Sequence, residues 1–165
     1  MVNTEKRVTV YIDINDQVLR VQQAKKILFS TQIATAKNGV GERNGSEQTP
    51  RGWHVIRAKI GDDAPENSVF VARRRTNEQF TETLALDYPE RDWILTRILW
   101  LSGLEPSFNR LGEVDTMRRY IYIHGCPDSA KMGEANSHGC IRMRNKDVIH
   151  LFDMVDVGTK VLITE

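Results

Sequence analysis

A cysteine and two histidines lie close together in the C-terminal third of the chain. The run is Ser137-His138-Gly139-Cys140-Ile141-Arg142, and His124-Gly125 precedes it by a short loop. A thiol becomes an effective nucleophile when an imidazole takes its proton and a third group orients that imidazole. The pattern predicts acyl transfer in which Cys140 attacks a carbonyl carbon and His124 acts as the base.

The residues before the cysteine suit the charge that such an attack creates. Gly139 permits backbone conformations closed to other residues, so the N–H groups around it can stabilise an oxyanion. Taken singly, a lone cysteine is usually a small buried hydrophobe, and a lone histidine is usually a hydrogen-bonded core residue. The combination of His124 and Cys140 favours catalysis over these structural interpretations.

The element that must position His124 is a predicted strand over residues 119–124. Its alternation places Ile121 and Ile123 on one face and Tyr120, Tyr122 and His124 on the other. His124 then ends the strand, and the next carbonyl, that of Gly125, can hold one imidazole tautomer. Tyr122 could line a substrate groove on the His124 face, but packing under a loop is the favoured interpretation.

The remaining pattern predicts a mainly β fold with short helices. Alternation over residues 8–14, the turn Asn15-Asp16 and residues 18–21 predict a hairpin. Asn145 is predicted to cap a helix that reaches Val155. Further strands are predicted at 27–36, 53–56, 68–74 and 160–164, residues 37–50 form a glycine-rich loop, and residues 93–101 fit a helix and a strand equally.

Composition is typical of one soluble globular domain over residues 1–165. The chain is 40% hydrophobic and 27% charged, and its net charge is +1. So small a net charge supplies no broad field for nucleic acid, which is not expected as a partner. The basic run Arg73-Arg74-Arg75 is interpreted as a solvated loop or strand edge, although it could meet an acidic substrate.

Neither an export signal nor a membrane span is expected. The first 16 residues lack an apolar core, and the apolar residues 93–104 are too few and contain Arg97. Two cysteines, Cys126 and Cys140, do not make a disulfide-stapled scaffold and suit a reducing compartment. A cytoplasmic location is therefore expected, with the periplasm as the alternative if the sequence has been trimmed of an export segment.

The motifs together resemble the signature of L,D-transpeptidase (YkuD-type) catalytic domains. Besides His124-Gly125 and the run around Cys140, Thr49-Pro50-Arg51-Gly52 is similar to the family's Thr-Pro-x-Gly turn. The resemblance covers the chain from about Val8 onward. It implies a β-sandwich with short helices and, as activity, cleavage of the bond between a di-amino acid and terminal D-alanine in peptidoglycan stem peptides, through a thioester.

Carried onto matching positions, the resemblance implies a role for each motif residue. Cys140 is the nucleophile, His124 the base and Gly125 the source of the orienting carbonyl, while the N–H groups of His138, Gly139 and Cys140 form the oxyanion hole. The His138 side chain is expected mainly to shape the loop. Arg142 is expected to form an ion pair, support the structure or contact a substrate carboxylate; with Tyr122 and Ser137 it completes the candidate substrate-binding residues. No cofactor or metal is implied.

Cys126 departs from the family pattern, because a small hydroxyl residue is frequent at this position in relatives. Two thiols could then form a disulfide that switches off Cys140 under oxidising conditions. Packing as a small side chain is the favoured alternative in a reducing cell.

The acceptor that resolves the thioester is not specified by the motifs. Water would give an L,D-carboxypeptidase, and some relatives act in this way; an amine would give crosslinks or D-amino acid exchange. The expected cytoplasmic location favours hydrolysis of soluble tetrapeptide muropeptides to tripeptides during cell-wall recycling. The donor's third residue and the oligomeric state are left open.

Two functions of other classes compete with the enzyme. The pairs His124-x-Cys126 and His138-x-Cys140 offer four ligands for a structural zinc, although their one-residue spacing is unusual for such sites. A wall-fragment binding module without chemistry is disfavoured because both His124 and Cys140 are present.

Overall fold

The computed structural model describes residues 7–165 and confirms a mainly β fold with two short helices. In chain order the elements are β1 Val8–Asp13, β2 Val18–Gln23, β3 Lys26–Gln32, β4 Gly52–Ile60, β5 Ser68–Val71, β6 Arg74–Gln79, α1 Glu82–Asp87, β7 Ile94–Gly103, β8 Tyr122–Gly125, β9 Ile141–Met143, α2 Asn145–Met154 and β10 Lys160–Thr164. A single 3-10 turn covers Gly112–Val114.

The ten described strands form one hydrogen-bonded sheet. Its main path runs β3-β2-β1-β10-β4-β7-β5-β6, and β8 pairs with both β7 and β9. The β1–β10 and β8–β9 pairs are parallel, and the remaining pairs are antiparallel. Strands far apart in this order share one core, so the sheet folds back on itself as a sandwich does.

The main core is formed by buried residues of β1, β2, β4, β7, β8, β9, β10 and α2. Alternate residues of each strand enter it, and α2 adds residues spaced three or four apart. Its fully buried members include Ile12, Leu19, Ile123, Ile141, Leu151 and Ile163. Because β8 and β9 each bury one face here, their other residues are directed to the opposite face.

Several predicted elements are confirmed. The β1–β2 hairpin, the loop over residues 37–50 and the last strand lie where the pattern placed them. Of residues 93–101, which fitted two interpretations, all but Trp93 belong to strand β7. The third strand is shorter than predicted: β3 ends at Gln32, after which Ala34 bridges to Arg142 and Ala36 to Ser137.

Two local predictions are wrong. The residue at the N-cap of α2 is Arg144, and the Asn145 side chain donates to Asn67 (2.9 Å) and accepts from Thr96 (2.7 Å). These partners from neighbouring segments replace the capping bond. The predicted strand over residues 119–124 begins only at Tyr122, because Tyr120 adopts a left-handed backbone with φ 56°.

The single-domain expectation over residues 1–165 stays a prediction, and its first six residues lie outside the described range. Within residues 7–165, neither helix has the length and apolar character needed to cross a bilayer. The longer of the two, α2, has 10 residues, far fewer than the roughly 20 that a span requires.

Candidate active site

The parallel pair β8–β9 brings the predicted base and nucleophile to one cavity. Ile123 pairs with Ile141, so Cys140, immediately before β9, lies beside Tyr122. Since Ile123 enters the core, Tyr122 and His124 face the other way. His124 and Cys140 line the same cavity, whose volume is about 430 Å³.

The thiol of Cys140 lies against the backbone that leads into β8. Its Sγ accepts the N–H of Tyr122 at 3.3 Å and donates to the carbonyl of Tyr120 at 3.4 Å. Burial raises the pKa of Cys140 to about 12, an effect that the Tyr122 N–H only partly offsets. At neutral pH the resting thiol is therefore protonated.

His124 is buried and held in one orientation. Its Nδ1 donates to the carbonyl of Gly125 at 2.6 Å, which assigns the proton to Nδ1 and leaves Nε2 as the acceptor. Burial lowers the pKa of His124 below its usual 6.5, against the opposing effects of Gly125 and Asp92. A neutral imidazole and a neutral thiol can transfer a proton as the sulfur attacks.

Gly125 has a packing role besides its carbonyl. A side chain there would collide with Asn145 Oδ1 and the carbonyl of Leu95. The start of α2 and strand β7 therefore both approach the backbone closely at this point. Only glycine lets these elements close around the end of β8.

The loop before Cys140 is held by bonds within it and by the predicted Thr-Pro-x-Gly turn. Ser137 Oγ accepts the N–H of Gly139 (3.2 Å) and donates to the carbonyl of Cys140 (2.5 Å). Thr49 Oγ1 donates to the carbonyl of Gly139 (2.9 Å) and accepts the N–H of Ala36 (3.0 Å). Thr49 thus ties the loop to a segment about 90 residues earlier in the chain.

These bonds bear on two of the predicted roles, which stay predictions. The N–H of Gly139 was expected in the oxyanion hole, but in this structure it is bonded to Ser137 Oγ. Ser137, a predicted substrate-binding residue, is 2% exposed and its hydroxyl is used inside the loop. The N–H groups of His138 and Cys140 remain as candidate donors to an oxyanion.

Arg142 forms an ion pair at the edge of the cavity. Its Nη2 donates to Asp92 Oδ1 at 2.8 Å, and its Nη1 donates to the carbonyl and Oδ1 of Asn136 at 3.0 and 3.1 Å. The exposed ring of His138 lies 3.8 Å from Asp92 Oδ2. Of the roles left open for Arg142, the geometry favours the ion pair that supports the site.

Asp92 is the site residue that the sequence reasoning missed. Burial alone would raise the pKa of its carboxyl, but the nearby His124 and Arg142 outweigh burial and hold the pKa below its usual value. No motif marks Asp92, which lies 50 residues before Arg142. Only the fold brings it to the cavity.

The second cysteine packs inside the core. Cys126 is fully buried, and its Sγ donates to the carbonyl of Met143 at 3.2 Å; burial raises the pKa of this thiol to about 11. Both cysteines are free. Over the described part of the chain, no three His, Cys, Asp or Glu side chains are placed to hold a metal ion, so the two His-x-Cys pairs do not form the zinc site of the competing interpretation.

Tyr122 lies at the cavity, whereas the other two histidines, His54 and His150, belong to other parts of the fold. Tyr122 is among the residues that line the cavity, and its hydroxyl accepts a hydrogen bond from Arg73 at 2.9 Å; a role in binding substrate stays a prediction. His54 is buried between the carbonyl of Gly52 and Thr116 Oγ1, and His150 packs edge-on against Phe29. Neither histidine is among the residues that line the cavity.

Known proteins resemble the chain both in sequence and in fold. It is 47% identical over 134 residues to the probable L,D-transpeptidase ErfK/SrfK of Escherichia coli, a match over 77% of this chain and 36% of that protein. It is 51% identical over 47 residues to the putative L,D-transpeptidase YqjB of Bacillus subtilis, covering 28% of this chain and 27% of that one.

A solved L,D-transpeptidase from Mycobacterium smegmatis superposes with a TM-score of 0.59 at 18% identity, over 96% of this chain and 59% of that chain. At this identity the similarity establishes the fold. The chain spans between about a quarter and three fifths of the length of these relatives. The family model for the YkuD L,D-transpeptidase catalytic domain matches residues 7–163. Since that match takes in almost the whole chain, the protein belongs to the YkuD family of L,D-transpeptidase catalytic domains.

Proposed function

We propose that the protein catalyses acyl transfer on peptidoglycan stem peptides with Cys140 as the nucleophile. The observation that carries the proposal is the meeting of Cys140 and His124 in one cavity, with Nδ1 of the imidazole bonded to the Gly125 carbonyl. The family supplies the class of substrate. A neutral imidazole with a free Nε2 is the state in which a histidine accepts a proton from a thiol.

In the first half of the reaction, Cys140 Sγ attacks the carbonyl carbon that precedes the terminal D-alanine. As the S–C bond forms, the thiol proton passes to His124 Nε2, and the carbonyl oxygen becomes an oxyanion bonded by backbone N–H groups of His138 and Cys140. Collapse of this intermediate breaks the C–N bond. The imidazolium returns its proton to the departing amine, which leaves as D-alanine, and a thioester remains on Cys140.

We propose that water resolves the thioester, so that the enzyme is an L,D-carboxypeptidase. His124 takes a proton from the water as its oxygen attacks, the C–S bond breaks, and the sulfur regains the proton. Tetrapeptide muropeptides are thereby shortened to tripeptides in cell-wall recycling. A cavity of about 430 Å³ is at the small end of ligand sites and suits the end of a single stem.

The alternative acceptor is an amine, from a second stem or a free D-amino acid, giving a crosslink or an exchanged terminus. The E. coli and B. subtilis relatives, named as a probable and a putative L,D-transpeptidase, favour this outcome. We further propose the cytoplasm as the location and soluble muropeptides as the partners. Two unpaired cysteines, one of them the nucleophile, suit a reducing compartment; the periplasm is the alternative.

The acceptor can be identified by mass spectrometry of the products from a disaccharide tetrapeptide. We expect tripeptide and free D-alanine, with no exchanged or crosslinked product when a D-amino acid or a second stem is added. Cys140→Ala should abolish turnover because no thioester can form, whereas the matched Cys126→Ala should retain it because Cys126 lies in the core.

Products that carry the added amine would show that the enzyme is a transpeptidase and would contradict the proposed hydrolysis. Persisting turnover in Cys140→Ala would remove the nucleophile assignment and with it the proposed chemistry.

A further inference from the structure

The turn between β5 and β6 has an unusual composition for its backbone. Ala72 and Arg73 join the paired residues Val71 and Arg74, and both have positive φ, 47° and 63°. Two-residue hairpin turns of this kind favour Asn and Gly, which tolerate the left-handed region. An arginine side chain held there is a strained choice, and such strain concentrates at functional sites.

Arg73 is held over aromatic rings at the wall of the cavity that contains Cys140. Its guanidinium carbon lies 4.6 Å from the ring centre of Trp100 and 4.8 Å from that of Tyr120. Its Nη1 donates to the hydroxyl of Tyr122 at 2.9 Å. These rings attract the cation without neutralising it, since they carry no formal charge.

The other arginines of the cavity are already engaged. Arg142 is paired with Asp92, and Arg119 donates to the carbonyls of Gly41 and Gln48 and to Ser46 Oγ. Arg73, by contrast, forms no salt bridge with any residue in the range 7–165. It is the cavity arginine whose charge is free to meet an anion.

We propose that Arg73 binds the terminal carboxylate of the stem peptide, the carboxylate of the residue that is released. This rests on the proposed function and makes the enzyme specific for a free C-terminus. Tyr122 links the two groups, because its N–H contacts Cys140 Sγ and its hydroxyl contacts Arg73. In the substrate, the terminal carboxylate lies one residue, about 3.8 Å, from the attacked carbonyl.

A substrate bound in this way spans from the sulfur to the guanidinium along the Tyr122 side chain. Fork-shaped guanidinium groups pair with carboxylates through two charge-assisted hydrogen bonds. A stem extended by another residue, or ending in an amide, would place a neutral group beside the Arg73 guanidinium, at the position of the terminal carboxylate. The enzyme therefore removes only the last residue.

The test compares a disaccharide tetrapeptide ending in D-alanine with the same molecule ending in D-alaninamide. Wild-type kcat/KM should favour the free acid by about 10- to 100-fold, the range that one charge-assisted contact supplies. Arg73→Asn should bring this preference close to one. Asparagine tolerates positive φ, so the turn is retained and the loss is not one of folding.

Two further variants refine the comparison. Arg73→Lys keeps a charge without the fork and should keep part of the preference. Arg74→Gln removes the neighbouring exposed arginine of β6 and should behave as wild type. An acid-over-amide preference that survives Arg73→Asn, or that is absent from the wild type, would overturn the proposal.

Binding separates this proposal from the proposed function. Calorimetry on Cys140→Ala, with and without Arg73→Asn, measures affinity for the acid and the amide when no chemistry occurs. Tighter binding of the acid that is lost with Arg73 supports the carboxylate contact even if the wild type shows no turnover. Equal affinity for both ligands in Cys140→Ala would refute the contact even if the wild type is an active enzyme.

Discussion

Cys140 and His124 both lie in surroundings that favour their uncharged forms. Burial raises the pKa of the thiol and lowers the pKa of the imidazole, so a resting thiolate–imidazolium pair is disfavoured. The proton must then move during the attack on the carbonyl. Catalysis therefore requires that His124 Nε2 is unprotonated when the substrate binds.

The pH dependence of kcat/KM follows from the requirement for an unprotonated His124. Activity should be constant through neutral pH and should fall as pH falls through the pKa of His124, below 6.5, because the imidazolium cannot accept a proton. Since the thiol pKa is about 12, iodoacetamide alkylation of free Cys140 should keep accelerating well above pH 9. The alkylation rate is measured in the Cys126→Ala variant, in which Cys140 is the one thiol that can react.

Two outcomes would contradict a neutral pair. One is an acidic limb of kcat/KM centred at or above pH 7. The other is an alkylation rate that reaches its plateau near neutral pH, which would reveal a thiolate at rest.

At this scale the sequence identified the reacting residues but not their neighbours. Cys140 and His124 carry a recognisable motif, and their separation of 16 residues lets one parallel strand pair join them. Asp92 carries no motif and lies between α1 and β7, whereas Arg73, in the β5–β6 turn, belongs to a basic run whose favoured interpretation was a solvated loop or strand edge. Their placement depends on sheet order, which local patterns do not specify.

Among the elements, the turn at Thr49 links segments that are far apart in the chain. It joins the loop of Cys140 to Ala36 through one hydroxyl that both donates and accepts. Thr49 is fully buried, so the two backbone groups that it satisfies have no water to replace it. The turn therefore supports the site without being part of the cavity wall.

Thr49→Val should weaken both the fold and the reaction. The loss of two buried hydrogen bonds should lower the free energy of unfolding by about 1–3 kcal/mol, and freeing the Gly139 carbonyl should lower kcat. Thr49→Ser keeps the hydroxyl and should retain most of kcat. Denaturant titration and steady-state kinetics measure the two effects, and equal kcat for Thr49→Val and wild type would show that the loop holds its shape unaided.

Secondary structure was predictable where one face of an element is buried and the other is exposed to solvent. The strands β1 and β2 alternate clearly because one side of each is buried. Strand β7 is buried along most of its length on both faces, so apolar residues occur on both faces and the sequence shows no clear period of two. The capping role predicted for Asn145 was wrong for a related reason. Its side chain forms hydrogen bonds with Thr96 and Asn67 instead of with the N-terminus of its own helix.

For the molecule as a whole, His54 links stability to pH. It is fully buried in β4, and burial lowers its pKa from 6.5 to about 4, with Gly52, Glu105 and Glu42 opposing the shift. The unfolded chain binds a proton at this residue more readily than the folded one. Stability is therefore complete above pH 6.5 and declines as pH falls toward 4.

We expect His54 to account for a loss of about 3 kcal/mol in the free energy of unfolding across that window. The buried His124 acts in the same direction. Denaturant titrations at pH 7 and pH 4.5 measure the loss, and His54→Gln should reduce the difference between them. An unchanged difference in His54→Gln would assign the pH dependence to other groups.

The position of β10 in the sheet has a consequence for how the protein is made. This strand is translated after the other nine, yet it lies between β1 and β4 and pairs with both. Until β10 has emerged from the ribosome, no strand is available to pair with both β1 and β4 and close the main path of the sheet. Cys140 is already synthesised at that stage, so the nucleophile is present before the sheet that positions it is complete.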